Sequence, residues 1–321
     1  MKRLVILRHN SGKGGKGELA NQLWNFMSIY AYALECHWPL DNYSFFEYSC
    51  YFNITVSHRL VRILFFAPFP ALEWLLGHTR ATIYWRLLYK AFVTAVGALH
   101  SKTTLCSHNS PDVAGIFYLP PTEPANPKIV ALQQDHTVQT IYFDGWLFRN
   151  PEGMKKYRSE IIRYFRPKGK IEDAVRAWVT PLKQRYEHVV GVHVRQGDYR
   201  TFKNGKYFVG QERIRNILDE YLQEYNRDST QTCFVITSNE PINERIFAGL
   251  QTVVSKQSFI EDLFILASTD TVIGSDSSFG NFAAYIADVP HIVVSNDVLD
   301  WEYYRGKTRY FQNKYCTLVH F

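Results

Sequence analysis

The alternation of apolar and polar positions is clearest in the second half of the chain. Residues 189–194, 233–237, 271–274 and 291–294 are short runs of mostly β-branched or apolar residues, the pattern of strands buried on both faces. Between them Ile214, Ile217, Leu218, Tyr221, Leu222 and Tyr225 recur at helical spacing, as do Leu263, Phe264 and Ala267, and then Phe279, Phe282, Ala283 and Ile286. Strands alternating with helices predict a parallel, doubly wound sheet. The first half opens in the same way. A strand over 4–8 leads through a glycine-rich loop, 11–17, into a helix from Glu18 that carries Leu19, Leu23, Met27, Tyr30, Ala31 and Leu34 on one side. Residues 37–128 are irregular, aromatic and basic, with an amphipathic helix expected around 82–99 and a proline-rich turn, Pro120-Pro121-Thr122-Glu123-Pro124, near the end. A strand over 140–148 and a helix over 151–165 follow. Arg166-Pro167-Lys168-Gly169 then marks the expected boundary between a domain of residues 1–168 and one of residues 169–321.

Composition narrows the class. With 321 residues, 46% hydrophobic and 21% charged, the chain has material for about two cores and lacks the signature of disorder. Its five cysteines are an odd number with no Cys-x-x-Cys spacing, which favours a reducing compartment. The apolar run at 4–7 is too short for a secretory leader, and no stretch approaches the roughly 20 residues that span a bilayer. A cytoplasmic location is therefore expected. A net charge of +6, from 36 Lys+Arg against 30 Asp+Glu, suits an anionic partner such as a nucleotide or an acidic lipid surface. Nucleic acid is not expected, because no dense Lys/Arg block or known binding motif is present.

Candidate chemistry gathers in the loops that follow three of the predicted strands. Arg195-Gln196-Gly197-Asp198-Tyr199, Ser238-Asn239-Glu240 and Ser275-Asp276-Ser277-Ser278-Phe279-Gly280 are polar and small, and the topology puts them on the ligand-binding edge of one sheet. Strand alternation sends His193 and Arg195 to the same side. A guanidinium there can hold two phosphate oxygens, or it can simply pair with Asp198. Ser277 or Ser278 can cap the following helix, and the same N–H groups can bind an anion. Asp262, just inside a helix start, reads as dipole charge or as a nucleobase acceptor. The loop Ser11-Gly12-Lys13-Gly14-Gly15-Lys16-Gly17 fails the phosphate-loop pattern, because Gly-Lys is followed by glycine rather than Ser or Thr. His100, Cys106 and His108 cluster too loosely for zinc, and no Asp-x-Asp is available to hold a metal on a sugar-nucleotide diphosphate.

Gly17-Glu18-Leu19-Ala20-Asn21-Gln22-Leu23, Phe143-Asp144-Gly145-Trp146-Leu147-Phe148, His193-Val194-Arg195-Gln196-Gly197-Asp198-Tyr199, Phe234-Val235-Ile236-Thr237-Ser238-Asn239 and Glu261-Asp262-Leu263 precede Ser275-Asp276-Ser277-Ser278-Phe279 in this order. Together the series resembles the bacterial α-1,2-fucosyltransferases, in the superfamily that also holds α-1,6- and protein O-fucosyltransferases. The resemblance implies an α/β fold of the GT-B type, two Rossmann-like domains whose parallel sheets face a cleft. It also implies inverting, metal-independent transfer of fucose from GDP-fucose, with no cofactor. Carried over by motif, Arg195 holds the β-phosphate, while His193 and Asp198 shape the sugar-phosphate pocket. Ser277, Ser278 and Phe279 cradle the diphosphate, Asp262 and Ser238 lie near the guanosine, and Asn21 reaches in from the N-terminal domain. His193, Asp198 and Glu18 are the candidates for a base. Ala20, Gln196 and Asn239-Glu240 depart from the family's glycine, second arginine and acidic pair.

Two other classes fit parts of the chain: a sulfotransferase-like or kinase-like enzyme using the glycine-rich loop, and a non-catalytic nucleotide-sugar-binding module. On the acceptor side, a glycan or a lipid-linked glycan is expected. Tyr84, Leu87, Leu88, Ala91, Phe92, Ala95 and Leu99 share one helical face from which Arg80, Arg86 and Lys90 are absent. That face either packs on the N-terminal domain or helps the protein dock peripherally on the anionic inner face of a membrane.

Overall fold

The computed structural model describes residues 1–8, 19–107 and 116–312. Most of the glycine-rich loop's flanks, the loop itself, Glu18, His108 and Cys316 lie outside the described residues. The chain divides into two compact units, Met1–Lys168 and Gly169–Phe321.

The first unit is built on β1 (Arg3–Arg8), α1 (Leu19–Cys36), β2 (Leu40–Asn42), α2 (Arg59–Val61), α3 (Phe69–Leu76), α4 (His78–Leu99), β3 (Thr104–Ser107), β4 (Phe117–Tyr118), α5 (Pro127–Gln134), β5 (Thr140–Gly145), β6 (Phe148–Arg149), α6 (Pro151–Lys156) and α7 (Arg158–Tyr164). Its four-stranded sheet runs β2-β1-β5-β3, every pair parallel. Leu4 to Leu7 are buried, as a central strand covered on both faces requires.

The strand expected over 140–148 is interrupted. Gly145 has φ +131°, and a Cβ on it would lie 2.2 Å from the Ser107 carbonyl oxygen, so the backbone can bend there only as glycine. Beyond the bend, the buried Asn25 of α1 takes the place of a strand neighbour. Its Nδ2 donates to the Gly145 carbonyl and its Oδ1 accepts from Phe148 N–H, both at 3.2 Å. The helix expected over 151–165 is likewise two helices, α6 and α7, parted at Tyr157.

The helix expected around 82–99 is α4, and it turns a different face inward from the one the periodicity favoured. Ala81, Tyr89 and Val93 are buried, with Trp85, Phe92 and Val96 packed partly against them. Leu87, Leu88, Ala91, Ala95 and Leu99 are exposed, and the side chain of Tyr84 lies outside the described set. Two adjoining stripes of this helix are apolar, so periodicity cannot choose between them. Polar contacts do: Arg86 forms a two-bond pair with buried Glu47 at 2.6 and 2.7 Å, and the Tyr89 hydroxyl donates to the Leu7 carbonyl.

The second unit comprises α8 (Gly169–Arg185), β7 (His188–Val194), α9 (Gln211–Glu224), β8 (Thr232–Ser238), β9 (Gln251–Val254), α10 (Phe259–Leu266), β10 (Thr271–Gly274), α11 (Ser278–Ala287), β11 (His291–Val293) and α12 (Trp301–Arg305). Its five-stranded sheet has the order β11-β10-β7-β8-β9 and is parallel throughout. Val190, Val192, Phe234, Ile236 and Ile273 form its core with Ile214, Ile217, Leu218 and Tyr221 of α9, the face that the helical spacing identifies. The half-buried edge strand β9 and the helix α8 were not foreseen; Pro181 inside α8 reads as a helix breaker.

Candidate functional site

From β7 the chain moves outward through β8 to β9, then returns to lay β10 on the other side of β7. The strand order therefore reverses between β7 and β10, the kind of point at which ligands bind beyond the carboxyl ends of the strands in doubly wound sheets. The loops after β7 and β10 are residues 195–199 and 275–277, the second leading directly into α11.

They are tied to each other and to the end of β7. Arg195 N–H donates to Ser275 Oγ at 3.2 Å, and the Tyr199 hydroxyl donates to the Asp276 carbonyl at 3.0 Å. Ser277 Oγ lies 3.2 Å from His193 Nδ1, and the His193 ring stacks on Phe279 with centroids 5.0 Å apart. Gly274 allows the approach of β10 to β7, since a Cβ there would lie 2.9 Å from both the Cβ and the carbonyl oxygen of His193.

Arg195 and Asp198 form a two-bond pair at 3.0 Å each, with the Asp198 side chain 57% exposed and that of Arg195 only 19%. Of the two readings of this pair, the ion pair is present: Asp198 holds the guanidinium in a fixed plane, through a partly exposed carboxylate. His193 is buried. Burial, with Arg195 alongside and His291 beyond it, pushes its imidazole down to about 3, so the ring is neutral.

Ser277 caps α11, its hydroxyl accepting from Gly280 N–H, so Ser278 and Phe279 occupy the first turn of a ten-residue helix. N–H groups of that turn point out of the helix end, where its dipole favours negative charge. Asn281 carries the support further in, donating to the Ser277 carbonyl at 3.0 Å while its Oδ1 lies 3.0 Å from Nδ1 of the buried His291. Nothing in the local pattern singled out Asn281 or His291; a polar residue at an inward helical position was the available signal.

Gln196, where the family resemblance expects an arginine, is buried and structural. Its N–H donates to Asn239 Oδ1 and its Nε2 to the Val209 carbonyl, both at 2.9 Å. Arg200 bonds both Gln196 and Glu240, so of the residues that depart from the family pattern Gln196, Asn239 and Glu240 are linked in one network, while Ala20 lies on α1. Gly197 has φ +40°, and any side chain there would meet the Asn239 amide at 2.8 Å. Ser238 ends β8 with its hydroxyl accepting from Glu240 N–H at 3.1 Å.

Asp262 sits on α10 one residue after Glu261. Glu261 completes a capping box with Ser258, leaving Asp262 to turn inward and accept from the Ser255 hydroxyl. Burial raises its carboxyl to about 6 against the opposing hydrogen bond from Ser255. Asn21 lies in the first turn of α1 in the other unit. The second unit thus brings His193, Arg195, Asp198, Ser277, Ser278 and Phe279 together, with Ser238 and Asp262 at the neighbouring strand end and helix start.

In the first unit the strand order also reverses, between β1 and β5. Arg8 and Asp144 close that point with a two-bond ion pair, one bond at 2.6 Å, and Asp144 is buried. Asp144 belongs to a motif the sequence marked; its partner Arg8 was not foreseen.

Fold and site define an α/β protein with two parallel-sheet units, the second gathering Arg195 and the first turn of α11 at its switch point. Residues 157–315 match the family model described as Glycosyl transferase family 11. The mouse galactoside α-(1,2)-fucosyltransferase 2 is 29% identical over 152 residues, covering 44% of this chain and 44% of the mouse enzyme; the matched segment thus spans less than half of that relative. Among solved structures, the fucosyltransferase NodZ from Bradyrhizobium aligns with a TM-score of 0.51 at 16% identity, covering 90% of this chain and 94% of that one. POFUT1 in complex with GDP-fucose aligns with a TM-score of 0.52 at 11% identity, covering 91% and 97%. At such identities the two structures establish the shared α/β fold.

Proposed function

We propose that this protein is an inverting fucosyltransferase of the GT-B type that moves fucose from GDP-fucose to a hydroxyl of a glycan or lipid-linked glycan at the cytoplasmic side of a membrane. The observation that carries the reading is the placement of Arg195 beside the first turn of α11 at the switch point of the second sheet. The family match, almost all of it on this half of the chain, and the mouse relative support it.

When the bond between the sugar carbon and the β-phosphate breaks, charge accumulates on the departing diphosphate. A fixed guanidinium and the N–H groups around Ser277, Ser278 and Phe279 stabilise that charge in the transition state. The acceptor hydroxyl attacks the opposite face of the sugar, which inverts the configuration. In a loose, oxocarbenium-like transition state its proton leaves late, so a weak base suffices. Asp198 is the exposed carboxylate beside Arg195, whereas His193 is buried with Nδ1 against the Ser277 hydroxyl, so Asp198 is the more accessible base. Because Arg195 and the helix end take the role of a metal, activity is expected to survive EDTA. Loss with EDTA and recovery with magnesium or manganese contradicts that role.

Asp262 with Ser238 is assigned to the guanosine. A carboxylate accepts from the two N–H donors on the guanine edge only when ionised. With its carboxyl at about 6, Asp262 is largely ionised at neutral pH, and binding weakens as pH falls below that value. Titrating GDP from pH 8 to pH 5 is expected to raise Kd about tenfold, and Asp262→Asn to weaken binding at pH 8 and flatten the profile. A pH-independent Kd in the wild type contradicts the assignment.

The reading as a whole is tested by a thermal-shift comparison of GDP, UDP, ADP and 3'-phosphoadenosine-5'-phosphate, followed by an assay of GDP release from GDP-fucose. Stabilisation by GDP of about 2.7 kcal/mol at a hundredfold excess over Kd, with release, is expected. A shift with the adenine nucleotide instead points to the sulfotransferase class. GDP binding without release under any acceptor points to a binding module.

A further inference from the structure

Of the thirteen large hydrophobic side chains that the described residues expose, nine lie between Leu60 and Leu99. They are Leu60, Ile63, Leu64, Trp74, Leu75, Ile83, Leu87, Leu88 and Leu99, with Trp74 at 87% and Leu87 at 67% exposure. Scattered singly over a surface such residues need no explanation, but concentrated in one segment they do. The segment has no lack of inward contacts. Val61, Phe65, Phe69, Ala81, Tyr89 and Val93 already bury its other side in the core of the first unit. A helix such as α4, apolar on its packed stripe and apolar again on the adjoining one, leaves the second stripe available to a further partner.

Charge says what covers it. From Arg59 to Lys102 the chain carries six basic residues and one acid, Glu73. Arg86 is taken by Glu47, but Arg59, Arg62, Arg80 and Lys90 are exposed and make no ion pair among the described residues. Exposed apolar side chains interspersed with unneutralised cations match the boundary between lipid headgroups and acyl chains of an anionic bilayer, where Lys and Arg meet phosphates and the apolar face enters the acyl region. No helix among the described residues is long and apolar enough to cross a membrane.

We propose that the outer face of α2 to α4 is a peripheral docking surface for anionic phospholipid bilayers. This inference does not depend on the sugar donor or on the reaction. Binding is expected to need both elements of the surface, the cations to draw the protein to the headgroups and the apolar side chains to hold it there.

The full-length protein is sedimented with vesicles of phosphatidylcholine alone and of phosphatidylcholine mixed with phosphatidylglycerol, at low and at high salt. Binding to the mixed vesicles, reduced by salt, is expected. Arg59→Gln with Arg62→Gln is expected to lower partitioning about fivefold for each charge. Leu87→Ser with Leu88→Ser, and separately Trp74→Ser with Leu75→Ser, are each expected to lower it by about tenfold or more. All six positions are exposed, so thermal denaturation of the variants is expected to match the wild type. Equal and negligible binding to both vesicle types overturns the proposal. So does a self-associated protein that Leu87→Ser with Leu88→Ser turns into a monomer without any change in vesicle binding, because a second copy of the chain then covers the face.

Discussion

Arg195→Ala is expected to lower turnover by about 10² to 10³, the scale for removing one preorganised donor from a developing negative charge. Its side chain stands at the end of β7 rather than in the core, and its ion-pair partner Asp198 is mostly exposed, so the variant keeps its fold. An exposed pair of this kind contributes about 1 kcal/mol or less to stability. If Arg195 acts mainly as charge grows on the diphosphate, kcat and kcat/KM fall together while KM for the donor changes little. Arg195→Lys restores only part of the loss, since an ammonium is a point charge without the planar fork. Steady-state kinetics with GDP-fucose, alongside a denaturation curve, checks both halves of the statement. Near-normal turnover in a folded Arg195→Ala variant removes Arg195 from the mechanism.

The second large effect is on stability and has an internal control. Gly145→Ala puts a Cβ 2.2 Å from the Ser107 carbonyl at a backbone angle of φ +131°, between two paired strands that cannot both yield. Strain and overpacking together are expected to cost about 3 kcal/mol or more. Gly97→Ala is the same change in the interior of α4, where nothing lies within 4 Å of the added Cβ. There it is expected to stabilise by about 0.5–1 kcal/mol through helix propensity and a less flexible unfolded chain. Urea unfolding of the two variants beside the wild type checks the pair, and similar midpoints for both contradict the geometry at Gly145.

The second unit was the more legible half because its strands are buried on both faces. Burial on both faces makes a parallel strand a continuous apolar run, and the runs at 189–194, 233–237 and 271–274 correspond to β7, β8 and β10. The edge strand β9 is half-buried along its whole length and carries no such run. Asp262 illustrates how far local reading goes: its place after a helix start was visible, but Glu261 takes the capping role, and only the fold brings Ser255 to the inward-turned carboxyl.

Local chemistry alone determined that this chain alternates strands and helices, that polar loops follow three of the strands, and that a basic, aromatic segment carries an amphipathic helix. Each of these is written in periods of two or 3.6 residues or in short motifs, which need no distant partner to be read. Tertiary structure decided the rest. It placed β10 rather than β8 on the far side of β7, so that loops 80 residues apart in sequence meet through Arg195 and Ser275. It broke the strand at Gly145 against Ser107, and it rotated α4 so that Tyr89 and Arg86 face partners while Leu87 and Leu88 face outward. In each case the deciding contact joins residues far apart in the chain, and a periodicity confined to one segment holds no information about what that segment will meet.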